Sequence, residues 1–222
     1  MECSFISRKG WNSMERFFCL LTGYICGNFL TAELIAYKKT GGSAASIGTG
    51  NPGMANIMEQ LGFRYGIYVL LGDLAKTILA CVLGYFIGSG IGHIAMLYAG
   101  VGCVTGHNFP VWKRFRGGKG VSCTCMAITI FLPAWGLMSC AAGMFGVLLS
   151  QSLPLGGVLI TTFYLFPAFL AGGREAGFLA LVLEILMVSR HFPGLVLLFK
   201  GEGTKVDVLG KLRGKVKGSN GK

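Results

Sequence analysis

Residues 17–37, 65–87, 91–105, 121–150, 156–171 and 176–188 form apolar runs that rule out an ordinary water-soluble domain. A hydrocarbon core of about 30 Å takes roughly 20 helical residues, and inside it each backbone amide must find its partner within the protein. The runs therefore read as membrane-spanning helices. The stretch 121–150 is too long for one untilted span, and Pro133 divides it into two. The expectation is an all-α integral membrane protein of about seven transmembrane helices. Composition agrees, with 53% hydrophobic residues, only 13% charged and a mean hydropathy of +0.63.

The charge pattern orients the chain. Of 20 Lys and Arg, three lie in residues 36–66, four in 106–121 and eight in 190–222, and an odd helix count puts all three segments on one side. Cations gather on the cytoplasmic side, so the N-terminus is expected outside, with Arg8, Lys9 and Arg16 there against the bias. The same cations precede an apolar run, but no small-residue cleavage site follows, so the first run is read as a helix and not a signal peptide. A net charge of +11 raises nucleic acid as a partner. Nucleic acid is excluded because the cations sit between and after apolar segments, not on a polar face with aromatic platforms, and anionic lipid fits them better. Two regions are expected: a membrane domain over 1–206 and a basic, disordered tail over 207–222. The eight cysteines show no repeated pairing pattern, and Cys123 and Cys125 lack the second pair of a zinc site.

Polar residues concentrate in 106–121, Gly-His-Asn-Phe-Pro-Val-Trp-Lys-Arg-Phe-Arg-Gly-Gly-Lys-Gly-Val. Gly117, Gly118 and Gly120 permit positive φ and can turn successive amides toward one point, and Lys119 adds a compact cation: a nest for phosphate. It is no P-loop, since Gly120 stands where Ser or Thr would follow the lysine. A second glycine-rich loop, residues 38–66, contains Gly48-Thr49-Gly50-Asn51-Pro52-Gly53 with Asn56 one turn on. This matches G-x-G-x-x-G, with Asp73 twenty residues beyond. The dinucleotide reading fails because no strand precedes the motif and Asp73 lies in an apolar helix. Asp73 and Lys76, three apart, share a helix face and can pair, either as a purely structural ion pair or to hold the loops. Glu33 near the end of the first run faces protein or snorkels. Ser189, Arg190 and His191 close the last run.

Gly-x-Gly-Asn-Pro-Gly, then Asp-x-x-Lys, then Gly-His-Asn-Phe-Pro…Phe-Arg-Gly-Gly-Lys-Gly-Val, then a late His and Lys resemble, over nearly the whole chain, the bacterial acyl-phosphate:glycerol-3-phosphate acyltransferases, the PlsY family. The resemblance implies a multi-pass protein of the bacterial cell membrane with seven helices and its active face in the cytoplasm. It would transfer a fatty acyl group from acyl phosphate to glycerol 3-phosphate, giving lysophosphatidic acid for phospholipid biosynthesis. It implies no cofactor and no metal, and as partners the two substrates, membrane lipids and other phospholipid-synthesis enzymes. By the same resemblance Gly48, Gly50, Asn51 and Asn56 line one part of a phosphate site and Gly117, Gly118, Lys119 and Gly120 the other. His107 and Asn108 brace the loop. Lys119 and His191 are the catalytic pair, with Asp73, Lys76, Arg116 and Lys205 in support.

The chain departs from that family at several polar places. An arginine before the first loop falls at Ala45, and Thr49 and Ala55 replace Ser and Thr. The Arg-x-x-Ser-Leu-x-Ser stretch aligns with 151–157 and loses its arginine and serines, while Ser150, Ser152, Arg190 and Glu202 lie close to the gaps. Gly194, Leu197 and Gly203 stand for Asn, Arg and Glu after the late histidine. A non-catalytic homologue that binds acyl phosphate, lipid or a partner membrane enzyme is the alternative these losses raise. A small-anion transporter would instead place charges at the membrane midplane, whereas here they cluster at one edge.

Overall fold

The computed structural model describes residues 2–203; Lys205 and the tail from 207 lie outside them. Among the described residues all regular structure is helical: α1 (Glu2–Gly27), α2 (Thr31–Thr40), α3 (Met54–Leu61), α4 (Phe63–Ile87), α5 (Ile94–Asn108), α6 (Val121–Phe131), α7 (Pro133–Ser150) and α8 (Leu153–Phe199). Four segments are long and apolar enough to cross a membrane by length and composition alone: 12–40, 63–87, 133–150 and 153–199. The last is two passes in one. At about 1.5 Å per residue its 47 residues exceed twice a bilayer core. Gly173, at φ 83° and ψ 175°, breaks it in a conformation open only to glycine, and the halves fold back on each other. With the shorter α5 and α6, the chain makes seven passes.

α5 is short because it is central. Eleven of its fifteen residues are buried, so little of it meets lipid. Its contact with α1 is made by two matching glycine pairs. A Cβ on Gly23 or Gly27 of α1 would strike the carbonyl oxygens of Ala99 and Cys103, and one on Gly102 or Gly106 of α5 those of Leu20 and Tyr24. In lipid, where apolar burial drives nothing between helices, such close backbone approach is what holds them together.

Pro133 begins α7, as the sequence indicates. Three boundaries differ. The first run is not one helix: it ends at Gly27 and restarts at Thr31, and the carbonyls of Gly27 and Phe29 freed by the break accept from Lys76 Nζ at 3.4 and 2.8 Å. Residues 38–66 are not all loop, since they hold the end of α2, a 3-10 turn at Ala44–Ser46 and the whole of α3. Helix α8 does not close near His191 but continues through Pro193 to Phe199. The ends of α1, α5 and α7 and the starts of α4, α6 and α8 meet on one face with both glycine loops. On the other, Arg16 pairs with Glu175 at 2.6 Å and His93 stacks on Phe131.

Candidate active site

The first glycine loop is held by a side chain, and its amides are spent in doing so. Asn56, 3% exposed, accepts from Thr49 N at 2.9 Å and donates to the carbonyls of Ile47 (3.1 Å) and Asn51 (3.0 Å). Gly50 N donates to Ile47 O and Gly53 N to Asn51 O, both at 2.9 Å. The loop thus does not aim converging amides at an anion, and Asn56 sits beneath it instead of lining a site. Gly48, at φ 52°, packs against Asn56 and Gln60. What the loop offers outward is Thr49, Gly50 and Asn51. Asn56→Ala removes three hydrogen bonds worth about 1 kcal/mol each. Hydrogen exchange at the Thr49 amide should then quicken by about 10²-fold, and unchanged protection would show the loop held by something else.

Glu33 fixes this loop to the central motif. Its carboxylate accepts from Ser43 Oγ (2.9 Å) and Ala44 N (3.1 Å) and pairs with Lys113 Nζ at 3.1 Å. Of the two orientations open to it in the sequence, it faces protein. Lys113, which also donates to Ser43 Oγ at 2.8 Å, is a tie between the loops.

In the central motif too, two amides expected to face a ligand are turned away. Gly117 N donates to Asn108 O and Gly118 N to His107 O, each at 3.0 Å. Arg190 takes the carbonyls on the other edge, with Nε to Gly118 O at 3.0 Å and Nη2 to Gly117 O at 2.8 Å, and lies over the Phe109 ring. The Gly-Gly strand is clamped on both sides and carries no anion nest. The amides of Lys119 and Gly120, leading into α6, have no acceptor among the described residues. Gly120, at φ 76°, lies against Asn108 Oδ1, and the fully buried Asn108 amide also lacks a partner there.

Beneath this strand lies a buried charge cluster. Lys76 Nζ is 2.9 Å from Asp73 Oδ1 and 2.7 Å from His107 Nδ1, and His107 Nε2 faces Gly118. Asp73, His107 and Cys123 have donor atoms within 4.8 Å of one another, a spacing that suits a metal. Here the Lys76 ammonium stands among them as the cation.

The two loops enclose a cavity of about 300 Å³ lined by Glu33, Ala45, Thr49, Gly50, Asn51, Pro52, Arg116, Gly117 and Arg190. Ala45, where the resemblance would put an arginine, is part of its wall. Glu33, the one acid there, is engaged by Lys113, which leaves Arg116, Arg190 and neighbouring Lys119 without a carboxylate among the described residues. Burial and then the Arg190 charge hold the Lys119 ammonium below the ordinary 10.5. Phosphate binding favours charged Lys119. Affinity is therefore full below its free-state pKa and falls as pH rises through that depressed value. A profile of kcat/KM for an anionic substrate should turn down on the alkaline side earlier than a free lysine would allow; no decline before a free lysine titrates would contradict this.

His191 is 2% exposed, packs against Gly157 and has no hydrogen bond on either ring nitrogen among the described residues. The charges acting on it are Lys119 and Arg190. Thus Arg116, Arg190, Gly50, Asn51 and Gly117 line the cavity, Lys119 and His191 lie within reach of the Arg190 charge, and Gly48, Asn56, His107 and Asn108 underpin the walls. Ser150 and Ser152 are spent as helix-end partners, to Gly146 O and from Leu155 N, and Gly194 packs on Pro154. Arg190 is the functional residue least legible beforehand; its signal was only its place before His191.

A family model described as glycerol-3-phosphate acyltransferase matches residues 17–201. The glycerol-3-phosphate acyltransferase 1 of Lactobacillus johnsonii is 34% identical over 203 residues, covering 91% of this chain and 98% of its own. That of Coxiella burnetii is 29% identical, covering 84% and 96%. Among solved structures, the crystal structure of PlsY, an integral membrane glycerol 3-phosphate acyltransferase, in its glycerol 3-phosphate form aligns with a TM-score of 0.78 at 27% identity, covering 89% of this chain and 98% of that one. Its lysophosphatidic acid form aligns at 0.76. Matched over most of its length in sequence and in backbone, the chain belongs to the glycerol-3-phosphate acyltransferase family.

Proposed function

We propose that this protein transfers a fatty acyl group from acyl phosphate to glycerol 3-phosphate, releasing lysophosphatidic acid and inorganic phosphate. The observation that carries this reading is a cavity lined by Arg116 and Arg190, with Lys119 beside Arg190 and the cavity's acid, Glu33, already engaged by Lys113. Uncompensated cations in a half-buried site call for an anion, and both substrates bring phosphate. The acyl phosphate is already activated, so no protein nucleophile is needed. The acceptor hydroxyl oxygen attacks the acyl carbonyl carbon, the new C–O ester bond forms and the acyl C–O bond to phosphate breaks. Lys119 stabilises charge growing on the carbonyl oxygen and the leaving phosphate. His191, whose ring nitrogens carry no hydrogen bond among the described residues, takes the hydroxyl proton.

In this reading the loop face is cytoplasmic and the membrane is a bacterial cell membrane. Supplying the purified protein with glycerol 3-phosphate and, in turn, palmitoyl phosphate and palmitoyl-coenzyme A tests the donor. Product from the acyl phosphate alone is expected; product from the thioester alone would overturn the donor assignment.

A further inference from the structure

We propose that Lys76 is a positioning residue that sets the tautomer of His107: donating to Nδ1, it leaves the ring proton on Nε2 and presents that N–H beside Lys119 to the bound phosphate. This rests on the acyltransferase reading and adds to it a group the reaction itself does not identify.

An ammonium has donors only, so at 2.7 Å from Lys76 Nζ the Nδ1 atom of His107 must accept. A neutral imidazole with its Nδ1 lone pair engaged carries its hydrogen on Nε2. That nitrogen lies against Gly118, at a place any side chain on residue 118 would occupy, next in sequence to Lys119. The other donors of Lys76 go to the carbonyls of Phe29 at 2.8 Å and Gly27 at 3.4 Å, and Asp73 Oδ1 stands 2.9 Å away as its counter-ion, so the lysine is fixed on several sides. The titratable groups facing His107 are Asp73 and Lys76 of α4 and Cys123 of α6.

Without Lys76 the bonding reverses. Asp73 Oδ1, 3.6 Å from Nδ1, becomes its partner and the neutral ring moves its proton to Nδ1. Nε2 then turns a lone pair toward the phosphate.

The test uses the purified full chain in detergent micelles with ¹⁵N-labelled histidine; there are three histidines, and His107→Gln assigns the signal. The expected result is Nε2–H in the unaltered protein and Nδ1–H at pH 8 in Lys76→Met. Nδ1–H in the unaltered protein, or no change in the variant, overturns the proposal. Asp73→Asn, which keeps the lysine donor, should retain Nε2–H and provides a second sample should Lys76→Met not fold; loss of Nε2–H there also counts against it. In kinetics, Lys76→Met should lower kcat/KM about ten- to hundredfold at pH 8. A loss of activity with Nε2–H retained in the variant would reveal a merely structural lysine. The resonance measurement needs no turnover, so its failure is separable from failure of the acyltransferase reading.

Discussion

Replacing Lys119 by alanine is expected to lower kcat/KM for acyl transfer by about 10²- to 10³-fold while the protein stays folded. The lysine is half-buried, ends a strand clamped by Arg190 and by the carbonyls of His107 and Asn108, and has no side-chain partner among the described residues. Its removal leaves no buried acid exposed, so stability has little to lose. Function has much to lose, because of the other cations at the site Arg190 is already committed to two carbonyls and Arg116 is exposed. Arg116→Ala, by contrast, should cost no more than about tenfold, since an exposed cation is screened. Equal losses for the two variants would mean that Lys119 has no privileged place.

The second large effect is on folding. Gly102→Leu should prevent recovery of monodisperse protein, or lower stability by more than about 3 kcal/mol, because its side chain must enter where α1 and α5 touch backbone to backbone. A Cβ there meets the carbonyl of Leu20 and the amide of Tyr24, which no rotamer change can move aside. The consequence reaches the site. α5 ends at His107 and Asn108, and Asn28, just after α1, holds Val111 N at 2.9 Å and the Trp112 indole at 2.8 Å. Phe86→Leu on an exposed face is the control and should leave thermal stability nearly unchanged. A Gly102→Leu protein as stable as the parent would contradict the packing account.

The helix count, the division at Pro133 and the Lys119 loop were legible because each rests on a local signal: length, ring chemistry, or glycine beside lysine. The helix pairing was less so. Gly23 and Gly27, like Gly102 and Gly106, show small residues four apart, but nothing in either segment says that it packs on the other. The break after Gly27 depends on a lysine 49 positions away, and Arg190 gains its meaning only when α8 doubles back at Gly173. The glycine amides were misread for a general reason. Glycine makes an anion nest possible, but whether its N–H points outward is decided by competing acceptors, here the carbonyls of Ile47 and Asn51 for Gly50 and Gly53, and those of Asn108 and His107 for Gly117 and Gly118. The amides of Lys119 and Gly120 are left open beside the cations.

The most direct measurement is formation of lysophosphatidic acid by the purified protein from palmitoyl phosphate and labelled glycerol 3-phosphate, with Lys119→Ala alongside. The account predicts product that depends on protein and on both substrates and falls by about 10²-fold or more in the variant. A folded, monodisperse preparation that makes no more product than the variant would contradict it.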